Sequence, residues 1–207
     1  MLHKTQKLKE TPSQTAGPYV AIGMAPNVAR FADIKGVFPE DLGTHVIGPD
    51  TPGERITVVI RLIDGDGVPA SDAMIETWQA DASGKYVAFG ETRADGFTGF
   101  GRRAMTDERN EFVIETVKPG RVPGPDGRPM APHLLLWIVA RGINIGLQSR
   151  LYFEDEPHAN AEDFVLNKIL NPARRPTLIA RKDGGSPTRY VLDIHLQGPH
   201  ETVFFDV

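Results

Sequence analysis

Tyr86 and His133 carry donor atoms that a metal ion could use. A phenolate offers a hard anionic oxygen and an imidazole a neutral nitrogen, ligand types that suit ferric iron. Two donors from one chain do not hold such an ion firmly. The apolar run Leu134-Leu135-Leu136 after His133 also points to burial. Packed or hydrogen-bonded roles are therefore the expectation for both. Arg141 offers a different chemistry. It follows a nearly all-apolar stretch from His133 to Ala140, which places it at the end of a strand, at a surface or an interface. There a guanidinium can stabilise a bound carboxylate or phenolate, or simply form a salt bridge. Thr15-Ala16-Gly17-Pro18-Tyr19 is a third candidate. Gly17 lets the backbone approach a ligand, Pro18 fixes it there, and Tyr19 adds an aromatic wall and a hydroxyl. The same segment could equally tie two subunits together.

Other groups read as ordinary structure. Asp64-Gly65-Asp66-Gly67 lacks the rest of a calcium loop and is expected to be a hairpin turn. Arg102-Arg103 and Arg174-Arg175 are short basic pairs, expected to be solvated or at subunit contacts. His158, His195 and His200 show no ligand spacing. The sequence has neither a phosphate-binding glycine loop nor a nucleophile elbow.

The elements that must position these residues are mostly strands. Glycine (21) and proline (17) recur throughout the 207 residues, and that density of turns favours an all-β fold. Strands are expected at 56–63, 73–80, 111–117, 133–140, 150–153 and 190–196, with 202–205 closing a sheet edge. The stretch 133–140 reads as a central strand covered on both faces. One helix is expected over 159–170, capped by Asn160 and stopped by Asn171-Pro172. Segment 25–53 reads as loop or short helix and as contact surface. The expectation is an antiparallel β-sandwich with a short helix, forming one domain over 1–207, with an extended N-terminal arm over 1–25.

A net charge of −4 gives no footprint for nucleic acid. No cysteine is present, so disulfides and thiolate metal sites are excluded, which favours a reducing compartment. The first ten residues lack an apolar core, which argues against a signal peptide. No window is apolar for long enough to span a membrane. A cytoplasmic protein is the expectation.

Six blocks carry a family resemblance: Thr11–Tyr19, Trp78–Tyr86, Met130–His133, Ala140–Ile145, Arg150–Phe153 and Glu201–Asp206. In this order they resemble the intradiol ring-cleaving dioxygenases, in particular the alpha chains of the heteromeric members that act on protocatechuate. The likeness runs from residue 11 to the C-terminus and is weakest near 25–50 and 87–100. It implies a β-sandwich, an alpha–beta protomer and a higher-order oligomer. It also implies a beta subunit that carries Fe(III) on two tyrosines and two histidines. Protocatechuate would chelate that iron, and O2 would open the ring between its two oxygenated carbons to 3-carboxy-cis,cis-muconate, a step of aromatic catabolism in the beta-ketoadipate pathway.

The positions of this chain that match the iron ligands are Tyr86, Val122, His133 and Leu135. Val122 and Leu135 have no donor atom, so the resemblance implies no metal here, and Tyr86 and His133 become remnants. It further implies that Arg141 lies beside the substrate across the subunit boundary, and that Thr15, Gly17, Pro18 and Tyr19 line the mouth of the partner's pocket. Two rivals are a sandwich module with no catalytic partner and a self-sufficient enzyme with an altered, coloured iron site.

Overall fold

The computed structural model describes residues 14–28, 39–88, 90–104, 108–125 and 127–206. Residues 1–13 of the arm and 29–38 of the weakly periodic segment therefore lie outside the described residues. The strands are β1 (Arg55–Ile63), β2 (Met74–Gln79), β3 (Phe100–Ala104), β4 (Phe112–Val117), β5 (His133–Val139), β6 (Leu147–Phe153), β7 (Ile179–Lys182) and β8 (Arg189–His195). They form one sheet in the order β3-β2-β5-β6-β7-β8-β1-β4. The two edges curl toward each other, and Arg103 Nε on β3 donates to the Val113 carbonyl on β4 at 2.7 Å. The result is a near-barrel. Its interior is filled from both halves by Val58, Ile60, Leu62, Ile75, Phe112, Ile114, Leu134, Leu136, Ile138, Leu151, Phe153, Leu192 and Ile194. Phe153 meets Tyr190 edge-on with centroids 4.9 Å apart, a favourable aromatic geometry.

The expectation of an all-antiparallel, all-β sandwich is corrected in two respects. First, β1 pairs with β8, and β6 with β7, in parallel. These partners come from distant segments, and no local pattern in the sequence encodes that choice. Second, the helical content is larger. Helix α1 (Pro18–Met24) lies where an extended arm was expected. Proline opens a helix well, since its missing N–H is one the first turn leaves unpaired anyway. The expected single helix over 159–170 is split into α2 (Pro157–Glu162) and α3 (Phe164–Lys168). Asp163 stands between them in extended backbone, and its side chain accepts from Val165 N and Leu166 N, so it caps α3. Asn160 does not cap; its side chain donates to the Phe153 carbonyl at 2.7 Å. Helix α3 already ends at Lys168, with Ile169 as its C-cap in extended backbone, so Asn171-Pro172 is not its stop and instead opens a 3-10 helix over Pro172–Leu178.

Asp64–Gly67 does form a turn, with Asp64 Oδ1 accepting from Asp66 N and Val68 N. The chain then leaves for the other half of the sheet, because β2 pairs with β3 and β5 rather than β1. Residues 202–205 add one bridge, Gln148 to Phe205, rather than a strand. Arg102 and Arg103 are not solvated: they bind Glu76, the Met24 carbonyl and the carbonyls of Gly43, Thr44 and Val113. The described part of 25–53 is irregular, as expected.

β5 is central, as expected. Its outer face is covered by two separate packings, and these place the candidate residues. At one end α1 covers Met74, Ala104 and Val139. At the other end α2, α3 and the 3-10 helix cover Ala131 and Tyr152 through Ala159, Leu166 and Leu178.

Candidate functional site

The loop before Tyr86 is tied by Asp81. Its Oδ1 accepts from Ser83 N, Ser83 Oγ and Lys85 N, and its main-chain oxygen accepts from Gly84 N and Gly120 N. Gly84 is required there: its φ is +81°, and a Cβ would sit 2.1 Å from the Arg121 carbonyl oxygen. This close approach locks the Tyr86 loop to the loop that carries Val122. Burial pushes the Asp81 carboxyl up, but its hydrogen bonds from Arg93, Lys85 and Ser83 outweigh that and hold it at about 2.

Tyr86 is partly exposed, and its ring lies parallel to that of Trp78, 6.3 Å away. Its phenol is pushed up by desolvation, against an opposing pull from the Arg150 charge. Val122 is buried against Ala80 and Met130. His133 is 3% exposed. Its Nδ1 lies 2.8 Å from the Ala131 carbonyl oxygen. A carbonyl can only accept, so Nδ1 carries the proton and Nε2 an open lone pair. That Nε2 is buried and has no hydrogen-bond partner. Burial first, and the Arg150 charge second, pull the imidazole down to about 4, so it is neutral near pH 7. Leu135 faces Arg150 on one side and Trp78 on the other in the strand register.

Three residues that sequence reasoning missed complete this cluster. Arg150 Nη1 lies 3.4 Å from the Tyr152 hydroxyl and 3.6 Å from Met130 Sδ. Tyr152 donates to Asp163 Oδ1 at 3.1 Å, and Asp163 Oδ2 accepts from Ala131 N. Strand alternation in Arg150-Leu151-Tyr152-Phe153 was the available signal, since it sets Arg150 and Tyr152 on the face opposite the core.

These residues do not fit a ferric ion. Two of the four matched positions are hydrocarbon, and the open His133 lone pair is buried. Among the described residues no group of three or more histidine, aspartate or glutamate side chains is arranged for a metal.

The remaining candidates gather at the far end of β5. Thr15 Oγ1 accepts from Gly142 N at 2.7 Å and donates to the Ala140 carbonyl at 3.3 Å. The arm is thereby stapled to the turn that carries Arg141. The Arg141 side chain is 77% exposed, and its Nη2 lies 3.1 Å from Asp72 Oδ2. Both line a cleft of about 330 Å³ with Asp64, Ser71 and Leu196. Tyr19 on α1 is 86% exposed, and Ile145 in the same β5–β6 connection 71%. Gly17 has open space where a Cβ would be, and its carbonyl accepts from Val20 N, so here it serves the start of α1. Pro18 is the first residue of that helix. The two groups of candidates are thus separate, one built around the buried His133 and Val122 with Tyr86 at its outer edge, the other exposed.

A family model described as Dioxygenase matches residues 35–198. The protocatechuate 3,4-dioxygenase alpha chain of Pseudomonas putida is 47% identical over 201 residues, covering 96% of this chain and 97% of that one. The beta chain of the Burkholderia cepacia enzyme of the same name is 30% identical over 183 residues, covering 83% of this chain and 77% of that one. Among solved structures, an intradiol ring-cleavage dioxygenase from Tetranychus urticae superposes with a TM-score of 0.57 at 20% identity, covering 80% of this chain and 91% of that one; this likeness speaks for the fold. The chain belongs to the intradiol ring-cleavage dioxygenase family. Within that family it is closely related to the alpha chains of protocatechuate 3,4-dioxygenase.

Proposed function

We propose that this chain is the iron-free alpha subunit of a cytoplasmic protocatechuate 3,4-dioxygenase, working with an iron-bearing beta subunit in a higher-order alpha–beta oligomer. The complex opens the ring of protocatechuate with O2 to 3-carboxy-cis,cis-muconate in the beta-ketoadipate pathway. The carrying observation is the donor-poor cluster at Tyr86, Val122, His133 and Leu135, with the His133 lone pair buried, in a chain otherwise so near to the alpha-chain relatives. A chain that cannot hold Fe(III) contributes by shaping another chain's pocket.

Arg141 is the residue assigned to substrate. Its exposed guanidinium can leave the shared contact with Asp72 and pair with the carboxylate or a phenolate oxygen of protocatechuate bound in the partner. Thr15 holds the Arg141 turn through Gly142 N and the Ala140 carbonyl, which limits how far that guanidinium wanders. Gly17 and Pro18 set the start of α1, and Tyr19 supplies an exposed ring for the pocket mouth or the subunit contact.

The test is iron content, visible absorbance and protocatechuate-dependent O2 uptake, first of this chain alone and then co-expressed with a beta-type chain. Colour, iron and uptake only in the pair support the reading. Stoichiometric iron in the isolated chain overturns it. No uptake from a well-formed pair favours a purely structural module.

A further inference from the structure

Arg150 is a half-buried guanidinium with an unusual setting. The register pairs His133 with Tyr152 and Leu135 with Arg150, so these four side chains share the outer face of β5 and β6. Trp78 is opposite Leu135 from β2, and it stacks on Tyr86. The Arg150 Nη1 contacts are Met130, which packs on Val122, and Tyr152, whose ring is 5.6 Å from that of His133. The guanidinium therefore stands where the surroundings of all four matched positions meet. Its charge is felt at Tyr86, His133 and Tyr152.

Among the described residues no carboxylate is within ion-pair distance of Arg150. Asp163, the acid of this network, is committed elsewhere: Oδ1 accepts from Val165 N, Leu166 N and the Tyr152 hydroxyl, and Oδ2 from Ala131 N. Arg150 reaches that acid only through Tyr152. A guanidinium does not lose its proton, so its charge is permanent. Glu76, the other acid on this face of the neighbouring β2, is paired with Arg102.

We propose that the Arg150 guanidinium is the resident cation of this pocket, and that it bars a metal ion independently of the missing ligands. Absence of iron is then determined twice, once by Val122 and Leu135 and once by Arg150. Putting back the donor types is not enough to restore a metal site. A ferric or divalent ion entering here would meet a fixed positive charge in a half-buried setting, where like charges repel more strongly than in bulk water. The proposal needs no assumption about partner or substrate.

The experiment compares two pairs of variants of the full chain. The first is Val122→Tyr/Leu135→His, with and without Arg150→Gln, loaded with Fe(III) and read by metal content and visible phenolate-to-iron absorption. The version that keeps Arg150 is expected to stay colourless and nearly iron-free, and the version with Arg150→Gln to take up near-stoichiometric iron with colour. The second pair is milder, in case the first does not fold: Leu135→His, with and without Arg150→Gln, titrated with Zn(II) or Co(II). Here the expected gain without the guanidinium is at least about tenfold in affinity, which corresponds to roughly 1.4 kcal/mol. Circular dichroism and melting confirm the fold of each variant. Equal metal uptake within the folded pair, whether both are full or both empty, overturns the proposal.

Discussion

One strand delivers both groups of candidate residues, and its two ends follow opposite rules. At the start of β5, His133 is 3% exposed and its Nδ1 is bonded to the neighbouring Ala131 carbonyl. Just past the other end, the Arg141 side chain is 77% exposed and pairs with Asp72. The first end is enclosed by α2, α3 and the Trp78–Tyr86 loop. The second has α1 packed on Val139, but its turn carries Arg141 outward beside the Thr15 staple and the edge of a cleft. The difference separates two meanings of a chemically able side chain. Polar groups at the closed end act on the stability of this chain. Those at the open end are the ones proposed to act on what the chain meets.

The comparison is broken most decisively at Asp163. This fully buried carboxylate satisfies four donors, Ala131 N, Val165 N, Leu166 N and the Tyr152 hydroxyl. Asp163→Ala removes a helix cap and strands the remaining donors, at a cost of about 3–5 kcal/mol. Urea unfolding measures it; a loss under about 1 kcal/mol would show that the closed end is not a structural centre.

The next effect is a pH dependence. The folded His133 titrates at about 4, below its ordinary 6.5. As pH falls from about 6.5, the unfolded chain takes the proton first, so this group removes stability down to about pH 4 and nothing further below. The loss is roughly 3 kcal/mol by the size of the shift. Asp81 and Asp155, both held at about 2, act in a lower window: their contribution is present above the ordinary carboxylate range and is lost as pH falls from there toward 2. Burial raises the Asp155 carboxyl, and hydrogen bonds from Lys118, Lys182 and Tyr190 overcome it. Unfolding curves across pH 7 to 4 should therefore lose most of their slope in His133→Gln, and an unchanged slope would remove His133 as its source.

Smaller effects sharpen the open end. Thr15→Val deletes the staple and should cost about 1 kcal/mol, with faster hydrogen exchange at the Gly142 amide as its local signature. Arg141→Ala should change stability by less than about 0.5 kcal/mol, because an exposed ion pair contributes little. In the assembled enzyme the same change should raise KM for protocatechuate while leaving the iron colour intact. A clear drop in melting temperature instead would place Arg141 with the structural residues.

The strands were legible where one physical preference dominated. Ile56 to Ile63 is β-branched, Tyr190 to Leu196 alternates, and His133 to Ala140 is apolar throughout; each became a strand close to the expected bounds. β3 was hidden because Gly101, Arg102 and Arg103 look like solvated turn residues, and only tertiary carbonyls and Glu76 make those arginines internal. β7 is four residues long with two of them basic, too short for any period to show. The missing donors at Val122 and Leu135 were legible as residue types. The guanidinium beside them was not, because Arg150 meets that face only through its pairing with Leu135 across β5 and β6.

The position of β8 governs when the fold can exist. It lies between β7 and β1, and its parallel pairing with β1 joins the last strand in the sequence to the first. The sheet stays open until almost all of the described chain has left the ribosome. During that time β1, rich in valine and isoleucine, presents an unpaired edge to any other nascent chain. Non-local closure of this kind is slow. Recovery of folded protein should therefore depend on the pace of synthesis, with slow, cool expression favouring the native sheet over aggregates.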